Sequence, residues 1–214
     1  MSRAFSDIAF TPAVRDVQTH MGSRSKYEAF DRAVDRRDRL TPREIDFIEH
    51  ADHFFQATVG ETGWPYVQHR GGPEGFLRVI DDRTIAYADF RGNVQYISVG
   101  NLTGDDRVAL ILMDYANKRR LKILGRARIV EAAEDRALID RVTMQGYGAT
   151  VERAVVITVE AWDWNCPQHI TERFTVAQIQ AVVAPLKEEI ERLRAQLASA
   201  LGRRAHADER HRSI

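Results

Sequence analysis

The stretch between Phe54 and Trp164 constrains the fold more than any other part of this 214-residue sequence. It is a succession of short runs rich in β-branched and aromatic residues, a composition typical of strands. Turn-forming clusters such as Glu61-Thr62-Gly63 separate the runs. Strands of this length joined by tight turns predict a mainly β fold, either an antiparallel barrel or a sandwich. A doubly wound sheet is disfavoured, because βαβ alternation and a GxGxxG motif are both missing. The runs are FFQATVG, PYVQHR, GFLRVID, TIAYAD, RVALILMD, RRLKILGRARIV and AVVITVEAW.

Helical segments flank and interrupt the β-rich stretch. Thr41 and Glu44 have the spacing of a capping box around Pro42, which predicts a helix start. Two more helices are predicted within the strand series, from Asn93 to Leu102 and from about residue 134 to residue 145. The sequence is thus divided into an N-terminal helical extension packing on the barrel (residues 1–52), the barrel (residues 53–174) and a C-terminal helix with a flexible tail (residues 175–214).

The C-terminal segment carries a heptad pattern from Thr175 to about Arg203. A short coiled coil and a helix packed along a partner subunit both fit this pattern. A helix packed on its own barrel fits it as well, so the three alternatives stay open. The apolar residues are Val183, Ile190 and Leu197 at one heptad position and Ile179, Leu186 and Leu193 at another.

Composition excludes several classes of function. The chain has 31 basic and 31 acidic residues, so no global positive field is available to attract nucleic acid. Its single cysteine, Cys166, excludes an intrachain disulfide and a Cys-only metal site, and His169 has no second ligand at metal-ligand spacing. No run approaches the roughly 20 apolar residues of a membrane span, and the N-terminus does not resemble a signal peptide. A cytoplasmic protein with no metal, membrane or nucleic-acid partner is expected.

The segment DFRGNVQYISVGNL, residues 89–102, holds the best candidate for an anion site. Asn93 is a favoured N-cap for a following helix, whose N-terminus would present free backbone N–H groups to an anion. Arg91 adds a charge suited to bidentate contact with phosphate, and Gly92 lets a ligand approach the backbone. Residue chemistry alone leaves an ordinary turn and an anion site both open.

Two other clusters are candidates for ring contacts. The glycine-rich run QHRGGPEGFLRV, residues 68–79, is either a hairpin turn or an irregular strand edge whose free backbone groups bind a heteroaromatic ring. In EAWDWNCPQHITERF, residues 160–174, Trp162 or Trp164 either stacks on a flat ring or packs in the core. Cys166 precedes a proline and has no evident activating base, which favours a structural role.

The order of these motifs resembles the pyridoxine 5'-phosphate oxidase-like FMN-binding split barrels over residues 40–174. The resemblance rests on GWPYVQ, GFLRVIDDRTIAYAD, FRGNVQYISVGNL, DDRVALILM, RRLKILGRARIV, VEAW and ERF in that order. It implies an antiparallel split β-barrel with flanking helices and a long C-terminal helix. It also implies a homodimer that binds FMN at the subunit interface.

The resemblance also implies the positions that contact FMN. The strand leading to Arg78, the end of the next strand, and later basic and Trp positions would contact the ring and ribityl chain. The segment that follows Asp89 would hold the phosphate. The implied positions are Gly75, Phe76, Leu77, Arg78, Tyr87, Ala88, Asp89, Arg91, Gly92, Asn93, Gln95, Arg120, Trp162 and Arg173.

The chain departs from the family pattern at two places. Asn93-Val94 stands where authentic oxidases have Arg-Lys, and His169-Ile170-Thr171 stands where they have the Arg-Leu-His that grips the substrate phosphate. The expected function is therefore an FMN-dependent oxidoreductase that acts on some other small molecule, with NAD(P)H as a candidate electron donor. No catalytic residue stands out, and His69 and His169 are the titratable candidates near the ring. Two alternatives are a non-catalytic flavin store or sensor and a haem-binding split barrel.

Overall fold

The computed structural model describes residues 2–212, with side-chain surroundings given through residue 201. Among these residues, no helix combines the length and the apolar character that crossing a membrane requires. The helices are α1 Ala4–Ala9, α2 Pro12–His20, α3 Arg24–Asp31, α4 Pro42–Glu49, α5 Ile97–Gly104, α6 Arg136–Val142 and α7 Val176–Arg212. The strands are β1 His53–Val59, β2 Pro65–Gly71, β3 Leu77–Asp81, β4 Thr84–Phe90, β5 Arg107–Asp114, β6 Arg119–Glu131 and β7 Val151–Trp164.

The seven strands form one sheet in the order β2-β1-β5-β6-β7-β4-β3. Every neighbouring pair is antiparallel. Alternation along the strands explains why the sheet has an inner face: in β1, Phe54, Gln56 and Thr58 are buried while the residues between them are partly exposed. The inner face holds most of the apolar core, including Leu110, Leu112 and other fully buried side chains that each contribute about 1.5–3 kcal/mol.

Contacts across the interior show that the sheet curls into a barrel. Strands β2 and β4 are five positions apart in the sheet order, yet Arg70 Nη1 lies 2.7 Å from Asp89 Oδ1. Likewise, Tyr87 on β4 donates a hydrogen bond of 2.8 Å to Gln56 Oε1 on β1. Because β2 and β3 are sheet edges that do not pair with each other, the barrel is split. The predicted mainly β, antiparallel split barrel with flanking helices and a long C-terminal helix is confirmed.

The helix boundaries correct three details of the sequence prediction. The capping box at Thr41 and Glu44 is present at the start of α4, as predicted. The prediction that a helix begins at Asn93 is wrong, because α5 begins at Ile97 and its N-cap is Tyr96. Helix α6 is also shorter than predicted, since Asp135 caps it by accepting a hydrogen bond of 2.9 Å from the Leu138 N–H. At the other extreme, α7 continues to Arg212, beyond the predicted end near residue 203.

The chain divides into two compact units, residues 1–170 and 171–214. The first unit contains both the barrel and the N-terminal helices. Ala4 and Phe5 of α1 form a small apolar cluster with Ala161 of β7. The backbone N–H of Trp162 donates to the Arg37 carbonyl at 3.0 Å. The second unit contains α7, in which Pro185 lies inside the helix.

Candidate functional site

The candidate site follows the end of strand β4, and the burial of residues near that end fixes where the site begins. Tyr87 and Ala88 are almost completely buried in the core. Burial raises the pKa of the Tyr87 hydroxyl, which therefore stays neutral and donates to Gln56. The end of β4 is thus anchored from inside the barrel, although neither side chain is open to a ligand.

Asp89 forms the centre of a buried ionic cluster at the end of β4. Its Oδ1 accepts from Arg70 Nη1 at 2.7 Å and its Oδ2 accepts from Arg153 Nη1 at 3.0 Å. Arg153 also contacts Glu152 at 3.3 Å, and Arg91 lies 3.8 Å from the other oxygen of Glu152. Arg153 Nε also pairs with Glu131 at 3.2 Å, so three arginines meet three carboxylates and their formal charges balance beside the loop that follows.

The β4–α5 loop, residues 91–96, has an unusual backbone. Val94 has φ 55° and Tyr96 has φ 51°, both in the left-handed region that side-chain-bearing residues rarely adopt. Asn93 Oδ1 accepts from the Gln95 N–H at 3.3 Å, which makes a local turn in place of the predicted helix cap. Such conformations cost about 1–3 kcal/mol each and concentrate at ligand-binding segments.

Tyr96 is held in its strained conformation by residues of β7. Its hydroxyl donates to Glu152 Oε1 at 2.9 Å, and this hydrogen bond raises the pKa of Tyr96. The guanidinium of Arg153 lies 5.2 Å from the centre of the Tyr96 ring. The same two residues that complete the ionic cluster therefore also fix the last residue before α5.

A depression lies between the loop and the start of α5, and its lining includes Gln68, Gly92, Gln95 and Ser98. The first N–H groups of an α-helix have no acceptor within the helix, and the Tyr96 N-cap provides no side-chain cap for those of α5. A Cβ added at Gly92 would meet no atom within 4 Å, so the backbone there is open. Arg91 precedes this glycine and has 64% of its side chain exposed, but the arginine that lines the depression is Arg70.

Other predicted flavin contacts lie in the core. The side chains of Phe76, Leu77 and Trp162 are almost fully buried, and the Trp162 indole donates to the Arg39 carbonyl at 2.8 Å. Of the two alternatives for Trp162, the structure therefore favours core packing within this chain. Gly75 precedes β3 with φ 79°, a conformation that glycine adopts without strain.

The remaining predicted contacts are dispersed. Arg78 on β3 contacts the sulfur of Met144 at 3.4 Å. Arg120 on β6 donates to the Cys166 carbonyl at 3.1 Å. Arg173 belongs to the second unit. The structure thus brings Asp89, Arg91, Gly92, Asn93 and Gln95 together around one loop, while Arg78 and Arg120 contact other parts of the first unit.

The two histidine candidates have different surroundings. The His69 ring lies on the outward face of β2, where it stacks on His53 at 5.7 Å between ring centres. His53 Nδ1 in turn donates to Asp52 Oδ1 at 2.5 Å, and the His53 ring stacks on Tyr115. His169 is exposed and has φ 63°. Across the described part of the chain, no three or more His, Cys, Asp or Glu residues are arranged to hold a metal ion.

Sequence reasoning missed Arg70, Glu152 and Arg153, which organise the site. Arg153 lies directly opposite Asp89 in the β4–β7 pairing. An acidic and a basic residue facing each other across two strands is a recognised stabilising pair, so the signal existed. It becomes readable only once the register of two strands more than sixty residues apart is known.

Fold and site together define a split-barrel protein with an anion-compatible loop at the end of β4. The family model described as pyridoxamine 5'-phosphate oxidase matches residues 40–183, about two thirds of the sequence. The chain therefore belongs to the pyridoxamine 5'-phosphate oxidase family. No curated protein matches it at a significant level.

Several solved structures resemble the chain remotely. HupZ of Group A Streptococcus is 20% identical over 63% of this chain and 99% of its own, with a TM-score of 0.48. A Clostridium acetobutylicum protein of the pyridoxinephosphate oxidase family, related to general stress protein 26, is 18% identical over 63% and 92%, with a TM-score of 0.42. HutZ, the haem storage protein of Vibrio cholerae, is 16% identical over 58% and 94%, with a TM-score of 0.38. At TM-scores below 0.5, none of these likenesses supports an inference about the ligand.

Proposed function

We propose that this protein is an FMN-binding oxidoreductase that works as a homodimer. The observation that carries the proposal is the loop at residues 91–96. An open glycine and the N-terminus of α5 line one depression there, and the exposed Arg91 precedes that glycine in the chain. Membership of the pyridoxamine 5'-phosphate oxidase family supplies the expectation that the bound anion is the phosphate of FMN.

The donors around the loop fit a phosphate. A phosphate needs several hydrogen-bond donors and a positive potential, and helix N-termini provide both. Arg91 adds the charge-assisted contact, since its nearest carboxylate, on Glu152, is as far as 3.8 Å away. The missing Arg-Lys pair of authentic oxidases leaves Arg91 as the cation of the loop itself.

The ring of FMN would be held differently. Because Phe76, Leu77 and Trp162 have buried side chains, they would support the strands that contact the ring and would not cover it themselves. Strand β3 is a sheet edge, and its backbone N–H and C=O groups suit the heteroatoms of an isoalloxazine. Groups from a second subunit would complete the enclosure.

The outward face of β2, β1 and β5 supports the proposed homodimer. Phe55 lies between His69 and Ile111 in the sheet pairing, and the next row places Ala57 beside Val67. Val67 is 60% exposed and Ile111 is 40% exposed. A contiguous apolar face of this kind is typical of a protein–protein interface. His69 would then lie at the subunit boundary, where a proton-transferring residue has access to a bound ring.

When bound, FMN supplies hydride or single-electron transfer at its ring. The protein's contribution is to hold the phosphate through Arg91 and the start of α5 and to keep the end of β4 rigid through Asp89. The substrate is a small molecule other than a vitamin B6 phosphate, because His169-Ile170-Thr171 offers no arginine for a substrate phosphate. A nicotinamide nucleotide is the proposed electron donor, and the cytoplasm is the proposed compartment.

Replacing Arg91 tests the phosphate assignment. Arg91→Ala should weaken FMN binding roughly ten- to a hundredfold, because a hydrogen bond to a charged group contributes about 1.5–3 kcal/mol. Riboflavin has the same ring without the phosphate, so its affinity should not change. Both affinities follow from quenching of flavin fluorescence during titration of the apoprotein.

Arg128→Ala is the matched control. Arg128 is 59% exposed and lies 3.7 Å from Glu134, so it resembles Arg91 in exposure and pairing but lies on β6. It should bind FMN and riboflavin like the wild type. Equal FMN affinity in the Arg91 and Arg128 variants would refute the phosphate assignment. A Soret absorbance band instead of flavin bands in the purified protein would show that the bound cofactor is haem and not FMN.

A second experiment separates an enzyme from a flavin store. NADH and NADPH are added anaerobically to the FMN-loaded protein while the flavin absorbance near its visible maximum is followed. Bleaching by either nucleotide, followed by recovery in the presence of an acceptor, is expected of an oxidoreductase. If dithionite bleaches the flavin and neither nucleotide does, the storage or sensor alternative takes precedence.

A further inference from the structure

Helix α7 exposes a row of large apolar side chains. Ile179, Leu186, Ile190, Leu193 and Leu197 are each between 48% and 60% exposed. Isolated apolar residues on a surface are ordinary, but a row that repeats along a helix is not. Such a row marks a surface for another helix that follows the same repeat.

The spacing of the row is that of a two-stranded coiled coil. Val183, Ile190 and Leu197 are seven residues apart and take heptad position a, while Leu186 and Leu193 take position d. β-Branched residues at a combined with Leu at d favour pairs of parallel helices over larger assemblies. Val183 and Ile190 at position a and Leu186 and Leu193 at position d follow this rule, whereas Ile179 at d and Leu197 at a depart from it.

The charged residues beside the row favour a parallel pair of identical helices. With this register, Glu189 falls at position g and Arg194 at the next position e. In a parallel pair, g of one helix meets the following e of the other, so Glu189 would face Arg194 of the second copy. In an antiparallel pair, e faces e, which would bring Lys187 and Arg194 together as like charges.

In the part of the chain whose side chains the structure describes, Glu189 and Arg194 pair with residues of the same helical turn. Glu189 pairs with Arg192 at 2.5 Å, and Arg194 pairs with Glu191 at 2.9 Å, both along the exposed face. Exposed pairs of this kind contribute little, so they are easily rearranged. Pro185 falls at position c, on the outside of a pair, where a proline does not obstruct the contact.

We propose that α7 binds α7 of a second copy of this chain as a parallel, in-register coiled coil. The apolar row from Ile179 to Leu197 covers about 27 Å of helix at 1.5 Å per residue. The residues of this interaction surface belong to α7 and differ from those of the sheet face proposed above. Its existence does not depend on whether the barrel binds FMN.

Cysteine cross-linking of the full-length protein tests the proposal. In a Cys166→Ser background, Ile190→Cys and Leu197→Cys each place one thiol at position a. In a parallel in-register pair, equivalent a residues meet each other at a separation that a disulfide can span. Each variant alone should therefore form a covalent dimer under mild oxidation, seen by non-reducing electrophoresis.

Glu188→Cys and Ala195→Cys are the matched controls, because both lie at position f on the opposite face. The a-position variants should cross-link at least about ten times faster than these controls, since pairing raises the effective thiol concentration. Equal rates at positions a and f would overturn the proposal, as would a lack of cross-linking at all four positions. In antiparallel helices position a meets position d, so efficient linkage only in a mixture of Ile190→Cys with Leu193→Cys would indicate that arrangement and would also overturn the proposal. Circular dichroism of each variant checks that the fold is retained.

Discussion

Replacing Asp89 should destabilise the barrel far more than replacing an exposed partner in an ion pair of the same length. The Asp89 side chain is 6% exposed and accepts from Arg70 at 2.7 Å and from Arg153 at 3.0 Å. Asp89→Asn keeps the shape, but it removes the charge and turns one acceptor into a donor that faces a guanidinium. Removing one member of a buried ionic cluster leaves the other charges uncompensated and costs about 3–5 kcal/mol.

Asp106→Asn provides the comparison. Asp106 accepts from Arg126 Nη1 at 2.7 Å, the same distance as in the Arg70–Asp89 pair, but both members of this pair are 49% exposed. Water screens such a pair, so its loss should cost less than about 1 kcal/mol.

Urea unfolding followed by tryptophan fluorescence measures both variants. With an m-value of about 2–3 kcal/mol per molar, Asp89→Asn should lower the unfolding midpoint by about 1–2 M. Asp106→Asn should lower it by no more than roughly 0.3–0.5 M. Equal midpoints for the two variants would show that the cluster across the split of the barrel does not stabilise the fold. A changed m-value would show that the comparison is not two-state.

Two further predictions concern the core. A Cβ at Gly125 would meet the Thr158 carbonyl oxygen at 2.5 Å, so Gly125→Ala should lower the free energy of unfolding by about 1–3 kcal/mol. Gly148→Ala is the control, because a Cβ there meets nothing within 4 Å and the free energy of unfolding should not fall. Equal unfolding midpoints of the two variants in urea would contradict this prediction. Burial raises the pKa of Tyr87, so its stabilising contribution is complete below the unfolded value of about 10 and is lost as the pH rises above it. The wild type should therefore lose stability between pH 8 and pH 10.5 more steeply than Tyr87→Phe, and parallel losses in urea titrations at the two pH values would refute the assignment.

The strands were predictable because their signals are local. In β1, alternation of buried and partly exposed residues agrees with the side-chain period of two, and the turn after it contains Glu61-Thr62-Gly63. The capping box of Thr41 and Glu44 is local in the same way, and it was correctly predicted to start a helix. Such features depend on residues within a few positions of each other, so one sequence is enough to read them.

The start of α5 was not predictable because it depends on a distant strand. Asn93 has the intrinsic preference of an N-cap, and the prediction followed that preference. In the structure, the Asn93 side chain accepts a hydrogen bond from the Gln95 N–H and does not cap a helix. Tyr96 is instead held in a left-handed conformation by contacts with Glu152 and Arg153. Contacts between residues more than fifty positions apart thus override a local preference.

The burial of polar residues could not be predicted from the sequence for the same reason, since it depends on contacts between distant strands. Gln56 occurs in a run of strand-forming residues and looks like a surface position, yet it is fully buried beneath the Tyr87 hydroxyl. The burial of Asp89 is tolerated only because Arg70 and Arg153 approach it from two other strands. The sequence shows that these residues exist, but only the curled sheet shows that they meet.

The placement of the loop at residues 91–96 follows from this combination of rigidity and strain. Tyr87 is hydrogen-bonded to β1 inside the barrel and Asp89 is ion-paired with β2 at its rim, so other strands hold the end of β4 in place. In the loop that follows, Val94 and Tyr96 have strained backbone conformations, and the contacts of Tyr96 with Glu152 and Arg153 offset this strain. If the proposed phosphate binds here, a loop held in this way would keep its backbone donors oriented beforehand, which would lower the entropy lost on binding. An authentic oxidase adds an Arg-Lys pair at the same point; in this chain, orientation of the backbone and Arg91 would have to substitute for that charge.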